Sequence, residues 1–342
     1  MNIIVFGAGS WGAALSMVLC GKGHQVALWS NEQEEAERIA KTRRLMHKLP
    51  EIRIPDEIAV TTKAEDFMEE AELLLVAVPS KFMRSFSAAM APQIVGRPKI
   101  VVNATKGLES GTLFNMSDIL ESHWMNEGSP VRGVAALSGP SHAEEVARGL
   151  PTVVVSAHPD RSLAKQVQDA FQAPRFRVYT NTDRLGVEIG AALKNVMAVA
   201  VGISDGLGFG DNARAALISR GLYELSLAGG AMGAKPETFT GLSGLGDLVV
   251  TCTSRHSRNR KFGELLAKGY APDDAEEEIG MVVEGRTTVR AVPDLKKKVQ
   301  QELPISEEVY SIAWQNGNPK EAVERLMLRE LKPESLPGDA AS

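Results

Sequence analysis

The sequence predicts an α/β domain with a mostly parallel, doubly wound sheet, followed by an all-α domain. Short apolar runs alternate with helical patterns through the first half of the chain, as repeated βαβ units require. A glycine-rich turn stands between the first such run and the first helical pattern. After Asp183 the strand signals fade and helical periodicity takes over. The expected division is therefore 1–183 for the sheet domain and 184–331 for the helical domain. Residues 332–342 carry no packing pattern and are expected to be a disordered tail.

The totals limit the class of protein. A chain of 342 residues can build two domains, and 44% hydrophobic with 24% charged residues describes a soluble globular protein. A net charge of −5 and a pI near 5.8 argue against a nucleic-acid partner held by a general basic field. Cys20 and Cys252 stand in unrelated contexts, too few for a disulfide framework and outside any metal-ligand spacing. Both read as reduced and packed, and no metal is expected. The chain opens directly on a strand with no basic stretch before it, so no signal peptide is expected and the assigned compartment is the cytoplasm.

Asn2–Phe6 is a short apolar run, followed by Gly7-Ala-Gly-Ser-Trp-Gly12, a helical Ala13–Cys20 and a second strand over Gln25–Trp29. The spacing is the G-x-G-x-x-G fingerprint of a Rossmann dinucleotide site, in the strand–turn–helix context that gives it meaning. Gly7 permits the tight turn, Gly9 lets the backbone approach a pyrophosphate, and Gly12 lets helix and strand close together. The second strand ends Trp29-Ser30-Asn31, which offers neither an acid for a ribose 2′-hydroxyl nor an arginine for a 2′-phosphate. Glu32 and Glu34 come late, and Arg43 and Arg44 fit either a 2′-phosphate contact or a solvated face. NAD(H) and NADP(H) both stay open.

The alternation continues with a weak strand over 59–62 and a continuous apolar one over 73–78. Lys99–Asn103 then runs into Ala104-Thr-Lys-Gly107, which places Lys106 where open α/β sheets bind ligands. Ser138-Gly-Pro-Ser-His-Ala-Glu144 follows another strand, and Ser141 with Glu144 has the spacing of a capping box. Strands over 152–156 and 176–180 are expected to complete a parallel sheet with crossover helices.

The helical half opens on residues 186–203, apolar on nearly every face and therefore a buried helix. Lys194 interrupts it. Glu188 lies six residues earlier, off the positions that could pair with it along one helix. A buried ammonium must find a distant carboxylate, open onto a cavity, or shift its pKa downward. Gly241-Leu-Ser-Gly-Leu-Gly-Asp247 suggests close packing against that helix, and Asp247 and Thr251 share a face if the stretch is helical. Arg255-His-Ser-Arg-Asn-Arg-Lys261 is apt as a phosphate clamp, since a guanidinium can grip a phosphate at two points. Amphipathic helices are expected over 286–298, 306–315 and 320–331.

Taken together, Gly7–Gly12, Asn103-Ala-Thr-Lys-Gly107, Ser138-Gly-Pro-Ser141, Leu193-Lys-Asn195, Gly244-Leu-Gly-Asp247 and Ser257-Arg-Asn259 resemble bacterial-type NAD(P)-dependent glycerol-3-phosphate dehydrogenase. The resemblance runs in order from Met1 to about Leu331. It implies reversible reduction of dihydroxyacetone phosphate to sn-glycerol 3-phosphate, a small phosphorylated substrate, in support of phospholipid synthesis. It also implies a homodimer, with no nucleic acid and no stable membrane insertion. Lys194 matches the proton-transfer residue, and Lys106, Asp247, Asn195 and Thr251 join it in the candidate catalytic set. Lys106, Gly139, Ser141, Lys194, Asp247, Ser257, Arg258 and Asn259 are the implied substrate contacts. Gly7, Gly9, Ser10, Trp11, Gly12, Asn31, Lys106, Ala143, Arg258, Val282 and Glu284 make up the cofactor set. The departure is Ser30-Asn31, where many members carry an arginine.

The chemistry fits these assignments. A hydride from nicotinamide leaves the protein to supply a proton and to steady an alkoxide. Burial and the charge of Lys106 would lower the pKa of Lys194, while Asp247 would orient it and limit that drop. Two other readings remain at this stage: a related two-domain dehydrogenase acting on another small hydroxy compound, and a non-catalytic dinucleotide sensor. The first would leave the Arg258 cluster without a purpose, and the second should lose the buried lysine and aspartate.

Overall fold

Apolar runs buried on both faces become the central strands, while shorter or part-exposed runs make up the others. The strands are β1 (Asn2–Phe6), β2 (Gln25–Trp29), β3 (Arg44–Leu45), β4 (Leu49–Arg53), β5 (Ala59–Thr61), β6 (Leu73–Val76), β7 (Lys99–Asn103), β8 (Val131–Ser138), β9 (Thr152–Ala157) and β10 (Phe176–Asn181). The computed structural model describes residues 1–46, 49–331 and 334. The chain forms two compact units, Met1–Thr105 with Met116–Arg184, and Lys106–Asn115 with the chain from Leu185 onward. A single boundary near 183 would leave Lys106–Asn115 in the first unit. Instead Leu108 packs with Ala192 and Ala291, and the Gly111 amide donates to Asp294, so the segment belongs to the helical unit.

In the first unit eight strands run in the order β10-β9-β8-β7-β6-β1-β2-β5. The order reverses at β1, which pairs in parallel with β2 on one side and β6 on the other. Alternate residues face opposite ways. Ile3, Val5, Leu73 and Leu75 enter one apolar cluster, while Ile4, Phe6, Leu74 and Val76 enter the other. The first cluster is covered by helices Ser10–Gly21 and Arg161–Phe171, and the second by Met83–Met90 and Met116–Trp124.

The sheet is mostly but not wholly parallel. β8 pairs antiparallel with β9, with Ala136 opposite Ala157 and Ser138 opposite Val155. The expected crossover is replaced by a return at the same end of the sheet. The only helix in that connection is Ala143–Ala147. Five residues rise about 7.5 Å, too short to carry the chain back along β8. β3 and β4 form a separate antiparallel ribbon that the sequence does not announce. Lys99, at the start of β7, is fully buried, and its ammonium donates to the carbonyls of Met68 (2.7 Å) and Ala71 (2.8 Å).

The second unit is arranged about helix Arg184–Gly206, buried without interruption from Gly186 to Ser204. By length and composition this helix could cross a membrane, but its apolar window is wholly buried inside the protein. Ile189, Val196, Val199 and Ile203 pack with Phe239, Phe262, Val289, Leu295 and Ile312 from the surrounding helices. The helix expected over 286–298 divides into Glu284–Val289 and Val292–Val299. Pro293 lies in the first turn of the latter, where its missing N–H costs nothing. Helices Pro304–Trp314 and Pro319–Met327 follow. The tail expected over 332–342 lies, Glu334 apart, outside the described residues. Both cysteines are free thiols, Cys20 half-buried and Cys252 buried.

Candidate active site

The site residues fall into a set on the sheet unit and a set on the helical unit. On the first, the glycine turn has the shape its spacing demands. Gly7 sits at φ +111°, and a Cβ there would meet the Ala77 carbonyl oxygen at 2.6 Å. A Cβ on Gly12 would lie 2.0 Å from the Gly7 carbonyl oxygen, so both positions exclude a side chain. Gly9 is the opposite case: a Cβ there would meet nothing within 4 Å. Open space therefore adjoins the start of helix Ser10–Gly21, which no side chain caps. This is a cradle for an anion on helix amides, and its donors fit a dinucleotide pyrophosphate. Ser10 and Trp11 are half-buried beside it. The Trp11 indole N–H has no hydrogen-bond partner among the described residues.

At the end of β2, Ser30 is buried and Asn31 exposed. Arg43 is committed elsewhere. Its guanidinium donates to the carbonyls of Ile58 (2.7 Å), Asp56 (3.2 Å) and Pro55 (3.4 Å) and lies 3.4 Å from the Asp56 carboxylate. Arg44 donates to the Pro50 carbonyl. Farther along, Gly139 is buried, and Ser141 and Ala143 are half-buried. Ser141 and Glu144 do not form the expected capping box. The Ser141 hydroxyl donates back to the Gly139 carbonyl at 2.9 Å, and His142 takes the N-cap position of helix Ala143–Ala147, with no side chain capping the helix.

On the helical unit, Lys194 finds its distant carboxylate. Its Nζ donates to Asp247 Oδ1 at 2.6 Å and to Thr251 Oγ1 at 2.5 Å. Lys106 Nζ holds the other oxygen, Asp247 Oδ2, at 2.7 Å. Lys194 is 5% and Asp247 1% exposed, so the cluster is nearly dry. The expected packing explains the geometry. A π-helical turn, Leu242–Gly246, leads into helix Asp247–Thr253, and a Cβ on Gly190 would come within 3.0 Å of the Ser243 carbonyl. Asp247 and Thr251 share a face, as expected, and the Thr251 hydroxyl donates to the Asp247 main-chain carbonyl.

Charge follows geometry here. Burial drives the Lys194 pKa down to about 8, with Asp247 resisting and Lys106 assisting. Burial pushes the Asp247 carboxyl up, but the two ammoniums outweigh it and hold the group below its ordinary range. Burial also raises the neighbouring Cys252 thiol to about 12, which leaves it inert.

The 255–261 cluster serves several purposes. Helix Arg258–Ala267 crosses the Lys194 helix at a glycine contact: a Cβ on Gly202 would lie 2.0 Å from the Arg260 carbonyl, and one on Gly263 would lie 2.1 Å from that of Val199. Ser257 caps the helix, accepting from the Arg260 amide. Asn259 is spent inward, donating to Asn195 Oδ1 (2.9 Å) and accepting from the Gly285 amide (2.8 Å). Arg260 pairs with Asp205, which also holds Arg214. Arg258 is exposed and, among the described residues, its guanidinium bonds to the Val282 carbonyl and the Met281 sulfur, which leaves room on its fork for a ligand. Val282 and Glu284 are half-buried, just ahead of Gly285. Sequence reasoning missed Asp205 and Gly285. Nothing in a lone Asp at a helix end, or a Gly in a helix start, announces such a partner.

Comparison with known proteins bears on both units. The family model described as NAD-dependent glycerol-3-phosphate dehydrogenase N-terminus matches residues 2–164, and the C-terminus model matches 183–324. A glycerol-3-phosphate dehydrogenase [NAD(P)+] of Agathobacter rectalis is 48% identical over 328 residues, covering 96% of each chain. One from Fusobacterium nucleatum is 48% identical over 97% of this chain and 98% of its own. The crystal structure of glycerol-3-phosphate dehydrogenase from Coxiella burnetii superposes with a TM-score of 0.90 at 38% identity, covering 96% of this chain and 98% of that one.

Proposed function

The chain belongs to the NAD-dependent glycerol-3-phosphate dehydrogenase family, and from that premise we propose how its own residues run the reaction. It is an oxidoreductase that uses NAD(P)H to reduce dihydroxyacetone phosphate reversibly to sn-glycerol 3-phosphate. When bound, the nicotinamide supplies the hydride. Lys194 supplies the proton. As the substrate carbonyl oxygen gains charge, the ammonium steadies it and then donates, and the resulting neutral amine recovers a proton from solvent.

One observation carries this assignment: among the described residues, Asp247 and Thr251 take two hydrogens of the Lys194 ammonium. The third is left for the substrate. Asp247 and Thr251 fix the direction of that hydrogen. Lys106 helps keep Asp247 ionised, and burial, assisted by Lys106, keeps the Lys194 pKa low enough for donation near neutral pH. Arg258 takes the substrate phosphate through its fork, with Ser257 holding the helix start beneath it. Asn259 and Asn195 hold Gly285, and with it the Val282–Glu284 segment, against the Lys194 helix. Following the family pattern, Gly139 and Ser141 contact substrate, and Gly7, Gly9, Ser10, Trp11, Gly12, Asn31, Ala143, Val282 and Glu284 contact the cofactor. The same pattern supports a homodimer, a cytoplasmic location and a role in phospholipid synthesis.

The test is oxidation of NADH or NADPH on adding dihydroxyacetone phosphate, run beside unphosphorylated dihydroxyacetone. Turnover of the first and at most a trace with the second is expected. Equal rates would remove the Arg258 clamp from the mechanism.

A further inference from the structure

Where a dinucleotide fold usually presents an acid at the end of its second strand, this chain has Ser30 and Asn31. The structure brings an acid there by another route. Ser30 is 1% exposed, and its hydroxyl donates to Glu35 Oε2 at 2.8 Å while accepting from the Glu32 amide at 3.3 Å. Glu35 lies in the first turn of helix Gln33–Thr42, where a negative side chain interacts favourably with the helix dipole. The surrounding backbone is pinned as well. The Trp29 indole donates to the Thr62 carbonyl, and the Thr62 hydroxyl donates to the Gln33 side chain. The arginine best placed in sequence to receive a 2′-phosphate, Arg43, is spent on the 55–58 carbonyls.

We propose that Glu35, held at the end of β2 by Ser30, is the residue by which this enzyme selects NADH over NADPH. Its carboxylate accepts a hydrogen bond from a ribose 2′-hydroxyl and repels a 2′-phosphate. An acid supplied from a helix and positioned by a serine separates the charge from the backbone that carries it. Selectivity should therefore respond to Glu35 while the glycine cradle keeps its hold on the pyrophosphate.

The experiment is calorimetric titration of the full chain with NADH and with NADPH, in the absence of substrate, for the native protein, Glu35→Gln and Ser30→Ala. The native protein should bind NADH more tightly by about tenfold or more. Glu35→Gln, which keeps the side-chain shape and removes its charge, should bring the two affinities together chiefly by tightening NADPH. Ser30→Ala, which releases the carboxylate from its anchor, should narrow the gap in part. Raising the salt concentration should narrow the native gap, since a partly exposed charge is screened. The proposal fails if the native protein binds NADPH as tightly as NADH. It fails too if Glu35→Gln leaves the ratio within about twofold of native, or if that variant weakens both cofactors equally.

Discussion

Lys106 and Lys194 divide the two oxygens of one carboxylate: Lys106 sits 2.7 Å from Asp247 Oδ2 and Lys194 sits 2.6 Å from Asp247 Oδ1. Lys106 disfavours the charge of Lys194, and the shared anion holds both side chains in place. Only one of the pair is deeply buried, and its pKa falls to about 8. The consequences can be measured.

The first concerns pH. Reduction needs Lys194 as an ammonium, so kcat for reduction should fall as pH rises through about 8. The reverse reaction needs the neutral amine and should rise over the same interval. Lys106→Met removes a cation that lowers the Lys194 pKa and leaves Asp247 to Lys194 alone. Both limbs should then move to higher pH. Paired pH–rate profiles check this, and a shift to lower pH would contradict the arrangement.

A second prediction separates catalysis from stability. Lys194→Met should lower kcat by about 10²–10⁴-fold, because the proton donor is lost. Its stability should fall by no more than about 1–2 kcal/mol, since Asp247 keeps Lys106. Combining it with Lys106→Met strands a carboxylate that is 1% exposed and should cost about 3–5 kcal/mol. Denaturant unfolding of the two single variants and the double variant would show this non-additivity or refute it.

The Arg258 clamp gives a third. Its guanidinium is exposed and, among the described residues, makes peripheral contacts with Met281 and Val282, so Arg258→Lys should change stability by less than about 0.5 kcal/mol. The KM for dihydroxyacetone phosphate should rise, with about 1–3 kcal/mol lost from kcat/KM, because a point charge replaces a fork. Steady-state kinetics beside a melting curve decide the matter.

The fourth prediction lies outside the active site. Glu224 is buried and accepts from the Ile305 amide (2.7 Å), the Ser306 amide (3.1 Å) and the Ser306 hydroxyl (2.8 Å). It thereby caps helix Pro304–Trp314 from a different helix, since Leu303 at the N-cap makes no side-chain bond. Burial lifts its pKa to about 7, against the pull of those donors. Glu224→Ala should cost about 2–4 kcal/mol, from orphaned amides and lost packing, and leave kcat for the folded enzyme unchanged.

Much of this could be read from the sequence, for reasons that differ by element. The glycine turn was legible because its spacing states a backbone requirement at Gly7 and Gly12 that no other residue meets. Lys194 stood out because an ammonium in an apolar helix needs an explanation, and the Asp247–Thr251 spacing offered one on a neighbouring helix. What escaped were contacts between segments with no shared periodicity. The reversal of β9 rests on the length of a loop helix. The Arg43 guanidinium looks free in the sequence and is consumed by the 55–58 carbonyls. Asn259 looks like a ligand donor and is turned inward to Asn195 and Gly285. For Arg43 and Asn259 the donor is visible in the sequence, and only the fold reveals its acceptor.

Lys106–Asn115 also constrains how such a protein can be inherited. The chain leaves the sheet unit after Thr105, returns at Met116 and departs finally after Arg184. A gene fragment encoding everything from Leu185 onward would specify the long helix, Asp247 and Thr251, yet it would lack the lysine that holds the second oxygen of Asp247. Recombination at the obvious seam would therefore separate the acid from one of its two cations. The two units are distinct in their cores, yet one parent of such a recombinant would supply Lys106 and the other Asp247, so the parents would have to match at both positions.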